Sequence, residues 1–449
     1  MKTISTIKKV FWGMVLVVSF LLNSSEVLGQ NSVSINTSNG KSKIHFTTDN
    51  NRDFKIEYEG DIKISDDDKD IVAISRGGYI EIKKSSFGKR RRLVIENEGG
   101  TLIRKYYIGW SEKKYNPDGK EWLADILPEI VRSTKIGAES RVARFYKKGG
   151  ANGVLSEIRR IKSDYVKSAY FKLLLERNLS TNELVNVIET AGKTIDSDYY
   201  LSQILKKNQK AFLKNDKTVD AYINASKNIN SDHYLTSIVK TVIGDRDISD
   251  KQLGSLLKVS ESINSDHYLT TILKEIMDKR ELNTQNMDRI MNLSKSINSD
   301  HYKTVVLKKA LKSKNISKSA YASFMSTLDD VNSDHYTTEI VKELLNNKLD
   351  SGNLTKVLNI IKNNVSSDHY ATVIYKKMAK RSELSDIQVI NILNAAASGI
   401  NSSHYLSQTL IAFAPRVKKS SSKVKDAYMR AAKSISSDTY LGRAMKAIY

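Results

Sequence analysis

The chain has 449 residues, of which 40% are hydrophobic and 27% charged, so it belongs with ordinary globular material and has room for two or three domains with cores of their own. A net charge of +22 favours acidic partners such as anionic glycans, lipid headgroups or nucleic acid, and it also favours plain solubility. Cysteine is absent, which excludes disulfides, thiolate metal sites, cysteine nucleophiles and a lipid anchor on an N-terminal cysteine.

Residues 1–29 read as an export signal. Lys2, Lys8 and Lys9 precede the apolar run Val10 to Leu22, and Val27-Leu28-Gly29 offers a cleavage site before Gln30. The run is short for a membrane span, and no second run of spanning length follows, so the expectation is a protein that is periplasmic or secreted and soluble after cleavage. An uncleaved anchor is the alternative.

Residues 30–110 alternate with period two, which predicts a small antiparallel β domain. Strands are expected at Ser34-Ile35-Asn36, Lys43 to Phe46, Phe54 to Tyr58, Ile62-Lys63-Ile64, Ile80-Glu81-Ile82 and Leu93-Val94-Ile95. Turns are expected at Asn39-Gly40, Asp49-Asn50-Asn51, Gly77-Gly78 and Gly99-Gly100, with a hairpin at Ser85 to Gly88. After that hairpin comes the densest basic run, Lys89-Arg90-Arg91-Arg92. One reading makes it a contact for an anionic partner; the other, preferred on sequence grounds, makes it a charged sheet edge that resists aggregation.

Residues 111–152 predict a helical joint that caps the array to follow. Asn116-Pro117-Asp118-Gly119 closes the β domain, Trp122 to Val131 has helical spacing with Pro128 kinking or restarting it, and a further helix ends at Gly149-Gly150.

Residues 153–449 are organised on one phrase, Asn230-Ser231-Asp232-His233-Tyr234, whose serine recurs at Ser163, Ser197, Ser231, Ser265, Ser299, Ser333, Ser367, Ser402 and Ser437. This regularity predicts a mainly α protein, an α/α solenoid of about nine two-helix repeats. First helices are expected to open with an apolar residue, a polar cap and a second apolar residue, as at Leu179-Ser180, Ile248-Ser249, Leu282-Asn283, Ile316-Ser317, Leu349-Asp350 and Leu384-Ser385. In the turn to the second helix, Asn264 is expected in the left-handed conformation, Ser265 as a side-chain cap, and Asp266 in the first turn where the helix dipole favours it. Pro415 is expected in the loop before the last copy.

On a helical wheel of about 100° per residue, the second helix buries Tyr234, Leu235, Ile238, Val239 and Val242. His233, Thr236 and Lys240 fall on the opposite pole, and the same types recur as His267, Thr270, Lys274; His301, Thr304, Lys308; His335, Thr338, Lys342; and His369, Thr372, Lys376. Stacked repeats would line these up as a ladder, read either as a binding surface or as helix-start structure copied by duplication. If the imidazoles meet a partner, binding should change between about pH 5.5 and 7.5. The tyrosine after each histidine is expected between repeats, its hydroxyl on a loop carbonyl.

No His-Glu-x-x-His, phosphate loop, nucleophile elbow or dinucleotide fingerprint is present, so the reading is a non-enzyme with no catalytic residue, metal or cofactor. Trp122-Leu123, Leu127-Pro128, Ile130-Val131-Arg132, Ile136-Gly137-Ala138-Glu139-Ser140-Arg141-Val142 and Ser163-Asp164-Tyr165 together carry a resemblance. Over roughly Ile62 to Leu175 the chain resembles bacterial envelope proteins with a β module, this helical joint and Ser-Asp-Tyr repeats, whose C-terminal region is sometimes fused to antirepressor-type membrane metallopeptidases. The zinc motif and membrane spans are missing, so no peptidase activity carries over. The 34-residue period also looks like tetratricopeptide arrays, but their Trp, Leu-Gly and Pro pattern is absent, and a HEAT-like stack is the nearer analogy. The expectation is a scaffold for an envelope protein or complex. The alternatives are a binder of anionic polymers through the basic run and the lysines, and, from the resemblance alone, a sensory partner of a membrane peptidase.

Overall fold

The computed structural model describes residues 33–449 except 39, 48–52, 87, 246, 313–317 and 348–349. The expected export signal, the Asn39 and Asp49-Asn50-Asn51 turn residues, Phe87, and the helix starts at Ile316-Ser317 and Leu349 lie outside the described residues. The chain divides into a unit ending at Gly137 and a unit beginning at Ala138.

In the first unit, seven antiparallel strands form one sheet: β1 (Val33–Ser38), β2 (Lys41–Thr47), β3 (Asp53–Glu59), then, past a small second sheet of β4 (Ile62–Ile64) and β5 (Ile71–Ile74), β6 (Tyr79–Ser86), β7 (Lys89–Glu98), β8 (Thr101–Ile108) and β9 (Ser111–Lys113). Alternation sends one set of side chains inward, namely Ile44, Phe46, Phe54, Ile56, Ile80, Ile82, Leu93, Ile95 and Tyr106, all buried. The helix Lys120–Ser133 covers them with Trp122, Leu123, Ile126, Leu127, Ile130 and Val131, which belong to the same core. Pro128 lies within this helix rather than dividing it.

This differs from the expected joint over residues 111–152. Its first helix has an apolar stripe that the one-faced sheet needs, so it belongs to the β unit, while Ala138 onward belongs to the repeats. Strands β5, β8 and β9 are additions: β8 buries only Tyr106 and lacks a clean inward alternation, and the other two are three or four residues long.

The second unit is a right-to-the-end stack of helix pairs in which first helices pack on first helices and second helices on second helices. The helix Ala138–Ile158 breaks at Gly149 and Gly150, whose φ of 57° suits glycine. Arg141 is fully buried near this start, with Nη2 2.7 Å from Glu157 Oε1 and Nη1 donating to the Tyr170 hydroxyl, which gives the Arg141 of the joint pattern a structural task. First helices start as expected at Ser180, Ser249 and Ser385, each with a reciprocal capping box, and at Asn283 and Asp350 with a side-chain cap. Pro415 lies inside the helix Ser403–Val417 rather than in a loop. It sits two residues before the helix end, and its missing N–H forgoes one backbone bond.

Candidate functional site

The second helices open differently from the expectation. Ser163, Ser197, Ser265, Ser299, Ser333, Ser367, Ser402 and Ser437 occupy N-cap positions, but none of their hydroxyls makes the cap bond. Asn264 is not left-handed either, because Asp68 is the one non-glycine of positive φ among the described residues. The turn is held instead by the aspartate of the preceding repeat.

Asp232 accepts hydrogen bonds from the backbone N–H groups of Asn264 (3.4 Å) and Ser265 (2.8 Å) in the next repeat. Asp164, Asp198, Asp266, Asp300, Asp334 and Asp368 do the same to their successors, with bonds to the next phrase serine of 2.7 to 2.9 Å. The carboxylate therefore ties neighbouring repeats together while it sits at the positive end of its own helix. Where Ser403 replaces aspartate, a weaker tie remains: the Ser437 N–H donates to Ser403 Oγ at 3.3 Å.

The threonines of the ladder are not on an exposed pole. Thr236, Thr270, Thr304, Thr338 and Thr372 are 3 to 7% exposed. A wheel assigns one buried face per helix, whereas a solenoid helix also packs sideways on its equivalents in adjacent repeats, and the threonine position is that flank.

His233, His267, His301, His335 and His369 are exposed, as expected. Each ring meets two tyrosines edge to face: His233 lies 5.3 Å from Tyr234 and 6.0 Å from Tyr268 of the next repeat, and the pattern continues to His404 and Tyr440. Tyr165 and Tyr199 take the histidine place in the first two copies, so one zigzag of rings runs from Tyr165 to Tyr440. The hydroxyls of Tyr268 and Tyr302 approach Nδ1 of His233 and His267 (3.3 and 3.4 Å), not loop carbonyls. A tyrosine ring separates successive imidazoles, and no group of three His, Asp or Glu with metal-binding geometry occurs among the described residues.

The lysines are partly neutralised. Lys240 reaches Glu275 (3.9 Å), Lys308 and Lys342 share Glu339 (3.1 and 2.8 Å), and Lys376 donates to Gln408 (2.6 Å). Hydrogen bonds from Lys342 and then Lys308 hold the Glu339 carboxyl below the usual carboxylate value. Lys274 is exposed. Between one pair of repeats His233, Lys240, His267, Tyr268, Glu275 and Lys279 line an open groove of about 570 Å³.

The basic run lies elsewhere and is not an edge. β7 is an interior strand between β6 and β8, so edge protection does not explain Lys89, Arg90, Arg91 and Arg92. Pairing aligns Lys55, Lys83, Arg92 and Tyr107 across β3, β6, β7 and β8 on the open face of the sheet. The Arg92 guanidinium lies 4.0 Å from the centroid of the Tyr107 ring, and Arg92 and Lys83 both reach Glu81 (3.3 and 2.6 Å). Lys55 lies in a strand legible from the sequence and Lys83 one residue past another, and it is register, not local sequence, that brings both beside Arg92. Tyr107 and Trp110 were missed because β8 was.

No family model and no curated protein matches this chain. A solved structure titled as a computational design of self-assembling cyclic protein homooligomers aligns with 72% of this chain and 94% of its own at 11% identity, with a TM-score of 0.10, too low to carry any argument. No described helix is long and apolar enough to cross a membrane.

Proposed function

We propose that this chain is an exported, non-catalytic scaffold of the bacterial envelope, and that the exposed face of its second helices receives an extended segment of a partner protein. The observation that carries the reading is the repetition of one exposed group, an imidazole held between two tyrosines, along consecutive repeats. Identical contacts at a fixed interval suit a long partner, whereas catalysis needs unlike groups converging on one atom. The neighbouring Lys–Glu pairs leave this face mixed in charge, which favours a protein over a polyanion there.

The test must separate imidazole chemistry from the ring zigzag. Replacing His233, His267, His301, His335 and His369 by Tyr, as nature does at Tyr165 and Tyr199, keeps an aromatic ring at each place. A discrete envelope protein captured at high salt by the native chain and released by this variant, with circular dichroism unchanged, is the expected result. Equal capture by both chains would overturn the role given to the histidines, and capture of nothing but anionic material would overturn the scaffold reading.

A further inference from the structure

One region of the open face of the seven-stranded sheet gathers more positive than negative side chains. Lys55, Lys83, Arg90 and Arg92 line one depression of about 580 Å³ on this face, with Asp53 as its acidic member. Asp53 itself is bonded to His45, and Glu81 nearby serves both Lys83 and Arg92. Like charges placed opposite one another on neighbouring strands, as Lys55 and Lys83 are and Lys83 and Arg92 are, oppose pairing. The arrangement calls for a counter-charge from outside.

The rim supplies a second kind of group. Trp110 stands in the turn between β8 and β9, after Gly109 with φ of 61°, and is 97% exposed. The Gly109 N–H donates to the Arg90 carbonyl at 2.9 Å, so the turn is fixed to the basic strand and holds the indole beside the cations. A fully exposed indole gives up its burial energy, and its place at the mouth of a basic depression points to a ligand with both an apolar face and negative charge.

We propose that this face binds an acidic polysaccharide, with Trp110 stacking on the C–H face of a sugar ring and Lys55, Lys83 and Arg90 meeting acid groups on successive units. Lys55 and Lys83 stand opposite each other on strands about 4.8 Å apart, a spacing close to one hexose, and Arg90 lies on the next strand two residues along, opposite Ser85. Single-stranded nucleic acid fits less well, because its binders offer several free aromatic rings for successive bases, and here Tyr107 is covered by Arg92, leaving Trp110 alone. The proposal goes beyond the scaffold reading and uses none of its residues.

The test uses the full chain and three immobilised probes: a polyuronate, uncharged dextran and oligo(dT). Trp110→Ala and the double variant Lys55→Gln/Arg90→Gln alter exposed side chains, so both should keep the native thermal midpoint. The expected result is binding to polyuronate and not to dextran, weakened about tenfold by Trp110→Ala. Lys55→Gln/Arg90→Gln should weaken it similarly and flatten its salt dependence. Polyuronate binding that both variants retain, equal binding to dextran, or tighter binding to oligo(dT) would each overturn the proposal. The histidine-to-tyrosine variant of the solenoid should bind polyuronate as the native chain does, so the two proposals fail separately.

Discussion

Two serines of the same sequence neighbourhood do unlike work. Ser249 caps a first helix through Oγ, whereas Ser265 stands at a second-helix start with its hydroxyl uncommitted to the cap. Ser249→Ala should therefore cost about 1 kcal/mol in urea unfolding, and Ser265→Ala less than about 0.5 kcal/mol. Equal losses would contradict the assignment. Asp300 offers the sharper case, because its carboxylate holds the amides of Asn332 and Ser333 in the next repeat. Asp300→Ala should remove about 1.5 to 3 kcal/mol and speed hydrogen exchange at the Ser333 amide, with Asp300→Asn intermediate. For His301, wedged between Tyr302 and Tyr336, alanine should cost about 1 kcal/mol and tyrosine close to nothing. The repeated phrase was plain in the sequence, but the direction of its aspartate was not: a carboxylate in a first turn has a sufficient local explanation, and the amides it bonds lie 32 to 34 residues away.

Among elements, the helix Lys120–Ser133 is the one whose allegiance changed. Six buried apolar side chains on one stripe contribute on the order of 10 kcal/mol to the β unit. A fragment ending at residue 137 should fold cooperatively, and one ending at 114 should expose the sheet's inner face and bind a hydrophobic dye; a folded, dye-free short fragment would show that the helix is dispensable. At the start of the repeats, Arg141 and Glu157 form a buried pair. Arg141→Met alone should cost about 3 to 5 kcal/mol, and Arg141→Met with Glu157→Leu should recover most of that loss. Helical periodicity made both elements legible. Which core each one joined was not, since an amphipathic stripe states that a helix must be covered and leaves the cover unnamed.

Across the whole molecule, stability should depend on pH most clearly at the alkaline end. Burial pushes Tyr428, and burial with a smaller contribution from Asp350 pushes Tyr321, from the ordinary 10.0 up to about 12, and burial also raises Tyr375. A phenol raised in the folded state favours folding below the unfolded value of 10.0, and that contribution is lost as pH climbs through the folded value, so urea midpoints should hold to about pH 10 and fall by about pH 12. Urea midpoints that stay level from pH 10 through pH 12 would contradict this. By itself the sequence determined the repeat period, which the recurrence of one phrase displays directly, and the two-helix unit, the first-helix caps and a β domain of alternating strands, because these depend on residues within a few positions of one another. Only the tertiary structure decided that Asp232 ties two repeats, that Thr236 is a packed flank, and that Lys55, Lys83, Arg92 and Trp110 share one face. Those outcomes depend on register and lateral stacking, which join residues that no local pattern relates.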